Sequence, residues 1–226
     1  LLDGLLSNSI FNYFFVSFCL LILINGTNFI DGLNTNVIGY YIILSYFLSK
    51  SFFLNVLGLD YSTWIFWTLS LLIIYLFNFF KKLFLGDNGA YALGFIYGIF
   101  LIKFYSISNI ISPFFIISIL WYPCFEMLFS MIRKKIQKKS PLKPDTNHLH
   151  QMAYDFFKKK IKLEEKYLNS FVASLFNFYN LIVIYLSFTQ QNNSIFQILL
   201  ISSNVLVYCL IYFILYQKKF KTNLSK

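Results

Sequence analysis

Three short polar segments interrupt an otherwise apolar sequence, and the first of them combines carboxamides with a carboxylate. This segment, NGTNFIDGLNTN at residues 25–36, contains Asn28, Asp31 and Asn34 beside two glycines. Asn28 and Asp31 are three residues apart, so on a helix they share one face and could bind one ligand together. A polar helix cap followed by a turn accounts for the same residues without any function. Taken alone, the segment leaves both interpretations open.

The second polar segment, FNFFKKLFLGDNGAYALG at residues 77–94, places Asp87 at the start of an apolar helix. Asp is a favoured residue at helix N-termini, so a helix cap is the simplest interpretation. The N-terminus of a helix also attracts phosphate, and Mg²⁺ is usually held by one or two carboxylates together with substrate phosphates. With Asn78 expected to supply an amide nearby, the alternative prediction is a site for a metal-bound phosphate.

The third polar segment, SPLKPDTNHLHQMAYD at residues 140–155, contains the only two histidines of the chain, His148 and His150. They follow Asp145, and two prolines before them predict a shaped loop that leads into a short helix. Two histidines without a nearby cysteine make a poor zinc site. Because an imidazole can donate to phosphate oxygens, the segment predicts a phosphate-binding or acid–base element, with a solvated basic surface as the alternative.

The elements that carry these segments are predicted to be membrane-spanning helices. The 226 residues are 58% hydrophobic and 12% charged, with a mean hydropathy of +0.64, which argues against an ordinary soluble domain. We expect an all-α, polytopic transmembrane helical bundle that forms one integral-membrane domain over residues 1–226. A bilayer core needs about 20 apolar residues as helix. By this measure the sequence predicts seven spans, at roughly 9–25, 37–57, 63–80, 89–107, 110–132, 169–188 and 194–216.

The distribution of basic residues predicts which ends of these helices lie together. With seven alternating spans, 17 of the 19 Lys and Arg residues fall on one face, eleven of them in the loop 133–168. By the positive-inside rule that face is cytoplasmic. Membrane topology thus accounts for the net charge of +10, and nucleic-acid binding has little support. The same alternation places all three polar segments on the cytoplasmic face, which favours one shared site.

One further acid, Glu126, lies inside the predicted fifth span. An acidic side chain at membrane depth is by default a functional hypothesis, because burying its charge is costly. Arg133 follows within two turns of the same helix, so an intrahelical or interhelical ion pair near the membrane interface is the alternative. Of the two, the sequence favours the ion pair.

In this order, and separated by membrane spans, NGTNFIDGLNT, FNFFKKLFLGDNGAYALG and SPLKPDTNHLH resemble the motifs of the polyprenyl-phosphate N-acetylhexosamine-1-phosphate transferases, glycosyl transferase family 4. The resemblance implies an enzyme of the plasma (inner) membrane with its active site on the cytoplasmic face. Such enzymes transfer HexNAc-1-phosphate from a UDP-N-acetylhexosamine to undecaprenyl or another polyprenyl phosphate in the bilayer, and release UMP. They use Mg²⁺, with Mn²⁺ as the alternative ion, and they start the synthesis of cell-envelope polysaccharides such as O-antigen.

The resemblance also implies roles for single residues. The first motif of the family lines the nucleotide–metal site. The second supplies a magnesium ligand and an aromatic ring near the uracil, and the histidine loop faces the diphosphate or the sugar. Carried over to this sequence, the catalytic residues are Asp31, Asp87, His148 and His150; the metal ligands are Asp31 and Asp87; and the substrate contacts come from Asn28, Asn34, Asn78, Phe84 and Asp145.

The sequence departs from the family pattern at several positions. Asn34 stands where the family has a second aspartate, and Gln151 replaces a third histidine. Thr146 and Ala90 replace an arginine and a serine. The paired-aspartate motif D-D-x-x-D of the family does not occur in this sequence, and the first residue is not Met, so we expect a fragment that lacks the N-terminal helices.

Two other functions stay open beside the transferase. The substitutions leave room for a non-catalytic paralogue or a structural membrane subunit of the same fold. A transporter is disfavoured, because its polar residues should lie near the membrane midplane and on both sides. Besides the two substrates, a second copy of the chain in a homodimer is the only other partner that we expect.

Overall fold

Helices make up most of the computed structural model, which describes residues 9–50, 53–108, 110–138, 140 and 146–224. Within these ranges the chain contains no strand. In chain order the helices are α1 (Ser9–Phe29), α2 (Asn36–Ser49), α3 (Phe53–Leu57), α4 (Tyr61–Phe79), α5 (Gly86–Ile107), α6 (Pro113–Ile119), α7 (Trp121–Ile136), α8 (Leu149–Lys160), α9 (Glu165–Thr189) and α10 (Ser194–Leu224).

Five of the described helices are long and apolar enough to cross a bilayer. They are α1, α4, α5, most of α9 (Tyr167–Thr189) and most of α10 (Ser194–Lys219). Helices α6 and α7 pass the same test together, although the chain bends by 78° between them, so the bent pair makes a sixth span if it is counted as one. The predicted all-α polytopic membrane bundle is thereby confirmed.

The described part of the chain has fewer long spans than the seven predicted, and the difference lies at the predicted second span, residues 37–57. Helix α2 has only 14 residues there and ends with Lys50 as its C-cap, and the five-residue helix α3 follows. Lys50 and Asn55 interrupt the apolar run, so the sequence does not supply one continuous helix long enough to cross.

Helix α2 nevertheless runs antiparallel to α4, as alternating spans require. Near the end of α4, the Asn78 side chain accepts a hydrogen bond from the Thr35 backbone N–H just before α2. Near the start of α4, the Trp64 indole donates to the Ser45 carbonyl at 3.1 Å. The chain direction therefore still reverses between α2 and α4, and the second polar segment returns to the first.

The bend between α6 and α7 follows from Pro123. Proline has no backbone N–H, and its ring clashes with the carbonyl four residues earlier in a helix, which here belongs to Ile119. Helix α6 ends at this residue. The Tyr40 hydroxyl of α2 donates to the Ile119 carbonyl, which has no helical partner at Pro123. The predicted fifth span is thus two helices.

Helices α1 and α5 lie antiparallel in close contact. A Cβ atom on Gly94 of α5 would lie 2.9 Å from the Thr27 Oγ1 of α1, and one on Gly98 would overlap a leucine of α1. Small residues allow this close approach between membrane helices. On another side of α1, Gly26 lies directly against the Pro123 carbonyl of α7. These contacts bring the end of α1 to the start of α5 and to α7.

Buried hydroxyl and indole groups connect the helices that carry the first two polar segments. Tyr41 of α2 is hydrogen-bonded to Thr27 of α1 at 2.6 Å, and Trp67 of α4 donates to the Tyr97 hydroxyl of α5 at 3.0 Å. The rings of Tyr41 and Tyr97 pack with centroids 4.5 Å apart. Since buried polar groups in a bilayer need internal partners, these contacts fix four helices relative to one another.

Candidate active site

The first two polar segments meet through a hydrogen bond between Asn28 and Asp87. Asn28 lies in the last turn of α1, and Asp87 lies in the first turn of α5. The Asn28 Nδ2 donates to the Asp87 Oδ1 at 2.8 Å. The N-cap residue of α5 is Leu85, so Asp87 does not occupy the cap position. A plain helix cap, which the sequence left open, therefore does not account for Asp87.

Asp31 lies in the turn between α1 and α2, within electrostatic reach of Asp87. Burial, together with the negative charge of Asp87, raises the pKa of the Asp31 carboxyl to about 7. Within the described residues, no group of three His, Cys, Asp or Glu side chains is placed to hold a metal ion. The two acids for which the sequence predicted a metal therefore interact electrostatically, with the Asn28 amide hydrogen-bonded to Asp87, and metal binding stays a prediction.

Asparagine side chains from two other helices hold the turn that carries Asp31. Asn78 of α4 accepts a hydrogen bond from the Thr35 N–H and donates to the Leu83 carbonyl at 2.8 Å. Asn177 of α9 donates to the Thr35 carbonyl at 3.1 Å. Thr35 has a φ of 67°, a left-handed conformation that is strained for a β-branched residue and needs such support. The turn is therefore fixed from two sides.

Two asparagines for which the sequence predicted substrate contacts have different surroundings. Asn78 is buried, and both ends of its amide bond to the backbone, an arrangement that favours positioning of the turn over contact with a substrate. The Asn34 backbone N–H donates to the Asn169 side chain at 2.7 Å. The Asn34 Nδ2 is buried and has no hydrogen-bond partner among the described residues, so its contact with a substrate stays a prediction.

His148 lies beside the end of α1 and brings the third polar segment to the first. Its ring packs edge-on against Phe29 with centroids 5.3 Å apart, and it stacks on His150 at 5.8 Å. The His148 Nδ1 is hydrogen-bonded to the Glu126 Oε1 of α7 at 2.9 Å. All three polar segments therefore meet at one end of the bundle.

His150 is completely buried behind the turn that follows α1. A Cβ atom on Gly32 would overlap the His150 Nε2, so this glycine lets the backbone of the turn lie on the ring. Both ring nitrogens lack a hydrogen-bond partner among the described residues. Burial lowers the pKa of the imidazole to about 4, although the Glu126 carboxylate acts in the opposite direction. His150 is therefore neutral at pH 7, and its contact with the diphosphate or sugar stays a prediction.

The intrahelical form of the ion pair that the sequence favoured, Glu126 with Arg133, does not occur, whereas His148 from another element is the ionisable partner of Glu126. Its carboxylate binds His148, and it accepts a hydrogen bond from the Tyr208 hydroxyl at 2.7 Å. Arg133 donates to the Ser130 hydroxyl at 3.0 Å instead. The partners of Glu126 are 22 and 82 residues away in sequence, so spacing within α7 could not reveal them.

For two of the predicted substrate residues, Phe84 and Asp145, the structure provides no test. Phe84 lies between α4 and α5, three residues before Asp87, and is 70% exposed, so its ring is free to stack on a base. Asp145 lies outside the described residues. For both residues, contact with the substrate stays a prediction.

Basic side chains lie close to this end of the bundle. The Lys134 Nζ of α7 is 5.8 Å from the centroid of the Phe29 ring, and three lysines end α8. Lys219 of α10 donates to the Thr146 carbonyl at 3.0 Å and lies 3.4 Å from the Asp155 carboxylate. Positive charge is therefore available near the end of α1 and beside the third polar segment, where it would attract a substrate rich in phosphate.

An apolar cavity of about 320 Å³ lies next to the segment that carries the histidines, although neither imidazole lines it. Leu149, which lies between the two histidines in sequence, and Tyr208, the partner of Glu126, both line it. Aromatic side chains of α8 and α9, among them Phe156 and Phe176, form other parts of its wall. The site therefore combines a polar part at the helix ends with an apolar volume behind it.

The fold defines a polytopic membrane protein in which the helix ends bring acids, amides and imidazoles together. The family model of glycosyl transferase family 4 matches residues 2–105, which contain the first two polar segments, and this match confirms the resemblance seen in the sequence. The family supports a polyprenyl-phosphate sugar-1-phosphate transferase type of function. No curated protein and no solved structure matches the chain.

Sequence reasoning missed the residues that support the site from other helices. Asn169 and Asn177 are polar residues eight positions apart in an apolar span, and that spacing was a usable signal of one helix face turned to polar partners. Tyr208 gave no comparable signal, because tyrosines are abundant throughout this chain.

Proposed function

We propose that the protein transfers N-acetylhexosamine-1-phosphate from a UDP-sugar to polyprenyl phosphate, releases UMP and depends on Mg²⁺. The observation that carries this proposal is the hydrogen bond between Asn28 and Asp87, with Asp31 beside it. It joins two motif segments that are 59 residues apart, at the ends of two membrane helices. One substrate is anchored in the bilayer and the other is a soluble nucleotide, so a polar site at helix ends suits both.

The donor would be held by groups at the start of α5. The exposed Phe84 ring is available to stack on the uracil, and the helix N-terminus and nearby lysines favour the negative charge of the diphosphate. Asp145 and Asn34 are the further substrate contacts that the family resemblance implies. These groups bind and orient, which is the larger part of what phosphoryl transfer requires of a protein.

Asp31 and Asp87 are the residues that would hold Mg²⁺, with the Asn28 amide oxygen as a neighbouring ligand. Among the described residues only Asn28 bonds to the Asp87 carboxylate, and the charge of Asp87 raises the pKa of Asp31. Two acids with so little compensation from the protein fit a divalent cation that keeps several waters and phosphate oxygens. When bound, the ion would neutralise charge on the diphosphate and on the departing UMP.

The transfer step needs orientation and charge compensation more than a base. An oxygen of the lipid phosphate attacks the phosphorus that bears the sugar, and the bond from that phosphorus to the oxygen of UMP breaks. A phosphate monoester has a second pKa of about 6, so the attacking group is largely dianionic at neutral pH. His148 and nearby lysines would offset charge on the transferred phosphate. The apolar cavity beside the histidines suits the first units of the prenyl chain.

The distribution of charge supports a cytoplasmic location of this site. Most of the basic residues follow α4 and α7 or lie in α8 and at the end of α10, near the polar segments. Positive charge flanking membrane helices marks the cytoplasmic side. A UDP-sugar is made in the cytoplasm, so this orientation places the site where the donor is.

The test is a transferase assay with the full-length protein, UDP-GlcNAc or another UDP-HexNAc, undecaprenyl phosphate and Mg²⁺, in which UMP release is measured. We expect turnover in the wild-type protein and a loss of at least about 100-fold in Asp87→Asn, because the amide cannot supply the charge. The matched control is Asp60→Asn, since Asp60 is an exposed acid at the other end of α4.

Two results would contradict the proposal. If no UDP-HexNAc releases UMP with any divalent metal, the transferase function is wrong. If Asp87→Asn turns over as fast as Asp60→Asn, the function stands but the metal assignment is wrong.

A further inference from the structure

Glu126 is a buried carboxylate that the function proposed above does not use. It is 1% exposed within α7, and an ionised acid at such a depth is costly unless its oxygens are paired. Each oxygen has its own partner: Oε1 binds the His148 Nδ1 at 2.9 Å, and Oε2 accepts from the Tyr208 hydroxyl at 2.7 Å. The partners come from two separate elements, so the cluster joins α7, α10 and the residue before α8.

The chemistry of the partners sets the direction of the bond to His148. An ionised carboxylate only accepts hydrogen bonds, so the Nδ1 atom must carry the proton. A neutral imidazole has a single N–H, and Nε2 is then the bare nitrogen. If the ring gains a proton, that proton goes to Nε2. In either state the hydrogen bond to Glu126 keeps a proton on Nδ1.

The packing of the ring leaves little freedom for another orientation. His148 is the N-cap residue of α8, but its side chain makes no capping bond and turns to Glu126 instead. The ring is enclosed between Phe29, which directly follows Asn28, and His150. The His148 ring therefore lies next to the Asn28–Asp87 pair along α1, and its Nε2 is the nitrogen that does not face Glu126.

We propose that Glu126 is a positioning residue that fixes the orientation of His148 and holds its proton on Nδ1, so that Nε2 is the nitrogen presented to phosphate. As a bare nitrogen, Nε2 accepts the proton of a P–OH group. As the N–H of an imidazolium, it donates to a phosphate oxygen. The role of Nε2 rests on the proposed transferase function, whereas the orientation and proton position of His148 do not.

The direct test is ¹⁵N NMR of the full-length protein with ring-labelled histidine, because the chain contains only two histidines. The variant His148→Asn assigns the signals by removing one set. In the wild-type protein we expect His148 to carry a proton on Nδ1. In Glu126→Ala we expect most His148 rings to move the proton to Nε2, the tautomer that an unpaired histidine prefers. The matched control is Tyr208→Phe, which removes the other bond of Glu126 and should leave the proton on Nδ1.

Activity provides the second readout. We expect kcat for UMP release to fall about 10- to 100-fold in Glu126→Ala, as for residues that orient a ligating imidazole, while KM for both substrates changes by less than about threefold. Glu126→Gln retains the size and one acceptor oxygen, so it should recover part of the lost kcat. A general loss of folding would lower the amount of active enzyme in both variants and would give no such recovery.

The outcomes separate this proposal from the proposed function. A wild-type His148 with a bare Nδ1, or an unchanged proton position in Glu126→Ala, overturns the positioning role whatever the activity. If Glu126→Ala does not fold, the wild-type spectrum and Glu126→Gln decide the question. A wild-type protein that releases no UMP overturns the transferase function, while the NMR result still decides whether Glu126 positions His148.

Discussion

Glu126 and the Asp31–Asp87 pair differ in what the protein provides for them. Glu126 is buried, and its two oxygens bind an imidazole and a phenol from other parts of the chain. Asp87 is exposed and, among the described residues, receives one hydrogen bond, from Asn28; its charge raises the pKa of Asp31. The charge of Glu126 is thus compensated by the chain itself, whereas the charge of the Asp31–Asp87 pair is mostly left for something else to compensate.

This difference indicates that Glu126 positions other groups of the site, whereas Asp31 and Asp87 are available to bind a ligand. A carboxylate with complete internal partners is costly to remove, because its partners are left buried and unpaired. Two neighbouring carboxylates without such partners repel each other, so the folded protein gains stability when one charge is removed. Stability should therefore respond in opposite ways at the two places, whereas activity falls at both, and the largest predicted effect tests this contrast.

Asp31→Asn should lower the rate of UMP release by about 100- to 1,000-fold while the melting temperature stays the same or rises. The reason is that the variant removes a proposed metal ligand and the repulsion with Asp87 at the same time. Glu126→Ala should instead lower the melting temperature. Thermal unfolding in detergent and the UMP assay on the same preparations measure both. A fall in melting temperature for Asp31→Asn would contradict this contrast between Glu126 and the Asp31–Asp87 pair.

The next largest effect is predicted for a substitution in the turn that carries Asp31. Gly32→Ala should reduce activity about tenfold or more and destabilise the protein by about 1–3 kcal/mol, because the new Cβ atom would overlap the buried His150 ring. Gly98→Ala is the control, since its Cβ atom would meet the flexible end of the Leu20 side chain and lies far from the site. Equal effects of the two substitutions would mean that helix packing, and not the contact with His150, limits activity.

Features that depend on patterns along the chain could be predicted from the sequence, whereas contacts between helices could not. Hydropathy and the positive-inside rule act along the chain, and they predicted a polytopic bundle in which Asn28, Asp87 and His148 meet. The interrupted span after Lys50 and the bend at Pro123 are local effects that a count of apolar residues does not detect. The partners of Glu126 depend on contacts between helices, so they became visible only in the structure.

Asn78 differs from these acids, because both ends of its amide are hydrogen-bonded to backbone groups of the site. Asn78→Ala should destabilise the protein by about 1–3 kcal/mol, because the N–H of the strained Thr35 loses its acceptor and the Leu83 carbonyl loses its donor. If Asn78 only positions the turn, KM for the UDP-sugar should change less than kcat. A large rise in KM with unchanged kcat would show instead that Asn78 binds the donor.

The pKa of Asp31 predicts a smaller effect that depends on pH. Because the carboxyl has a folded-state pKa of about 7, above its ordinary value, its stabilising protonation is complete near pH 4 and is lost as the pH rises through 7. The low pKa of His150 acts in the opposite direction, since its contribution is lost as the pH falls from about 6.5 to about 4. The melting temperature of metal-free wild-type protein relative to Asp31→Asn should therefore decrease from pH 5 to pH 8. A constant difference would contradict the raised pKa.

The smallest effect is expected for an acid that has a basic partner but is exposed to solvent. Glu165, at the start of α9, forms an ion pair with Lys158 of α8, and this contact lowers the pKa of its carboxyl. Both side chains are exposed, so water and salt compensate their charges whether or not they touch each other. Glu165→Gln should leave the melting temperature and UMP release unchanged within error, although it removes an acid paired with a basic side chain, as Glu126 is paired with His148. A clear loss of activity would mean that the ends of α8 and α9 take part in the site, and that burial alone does not decide which acids matter.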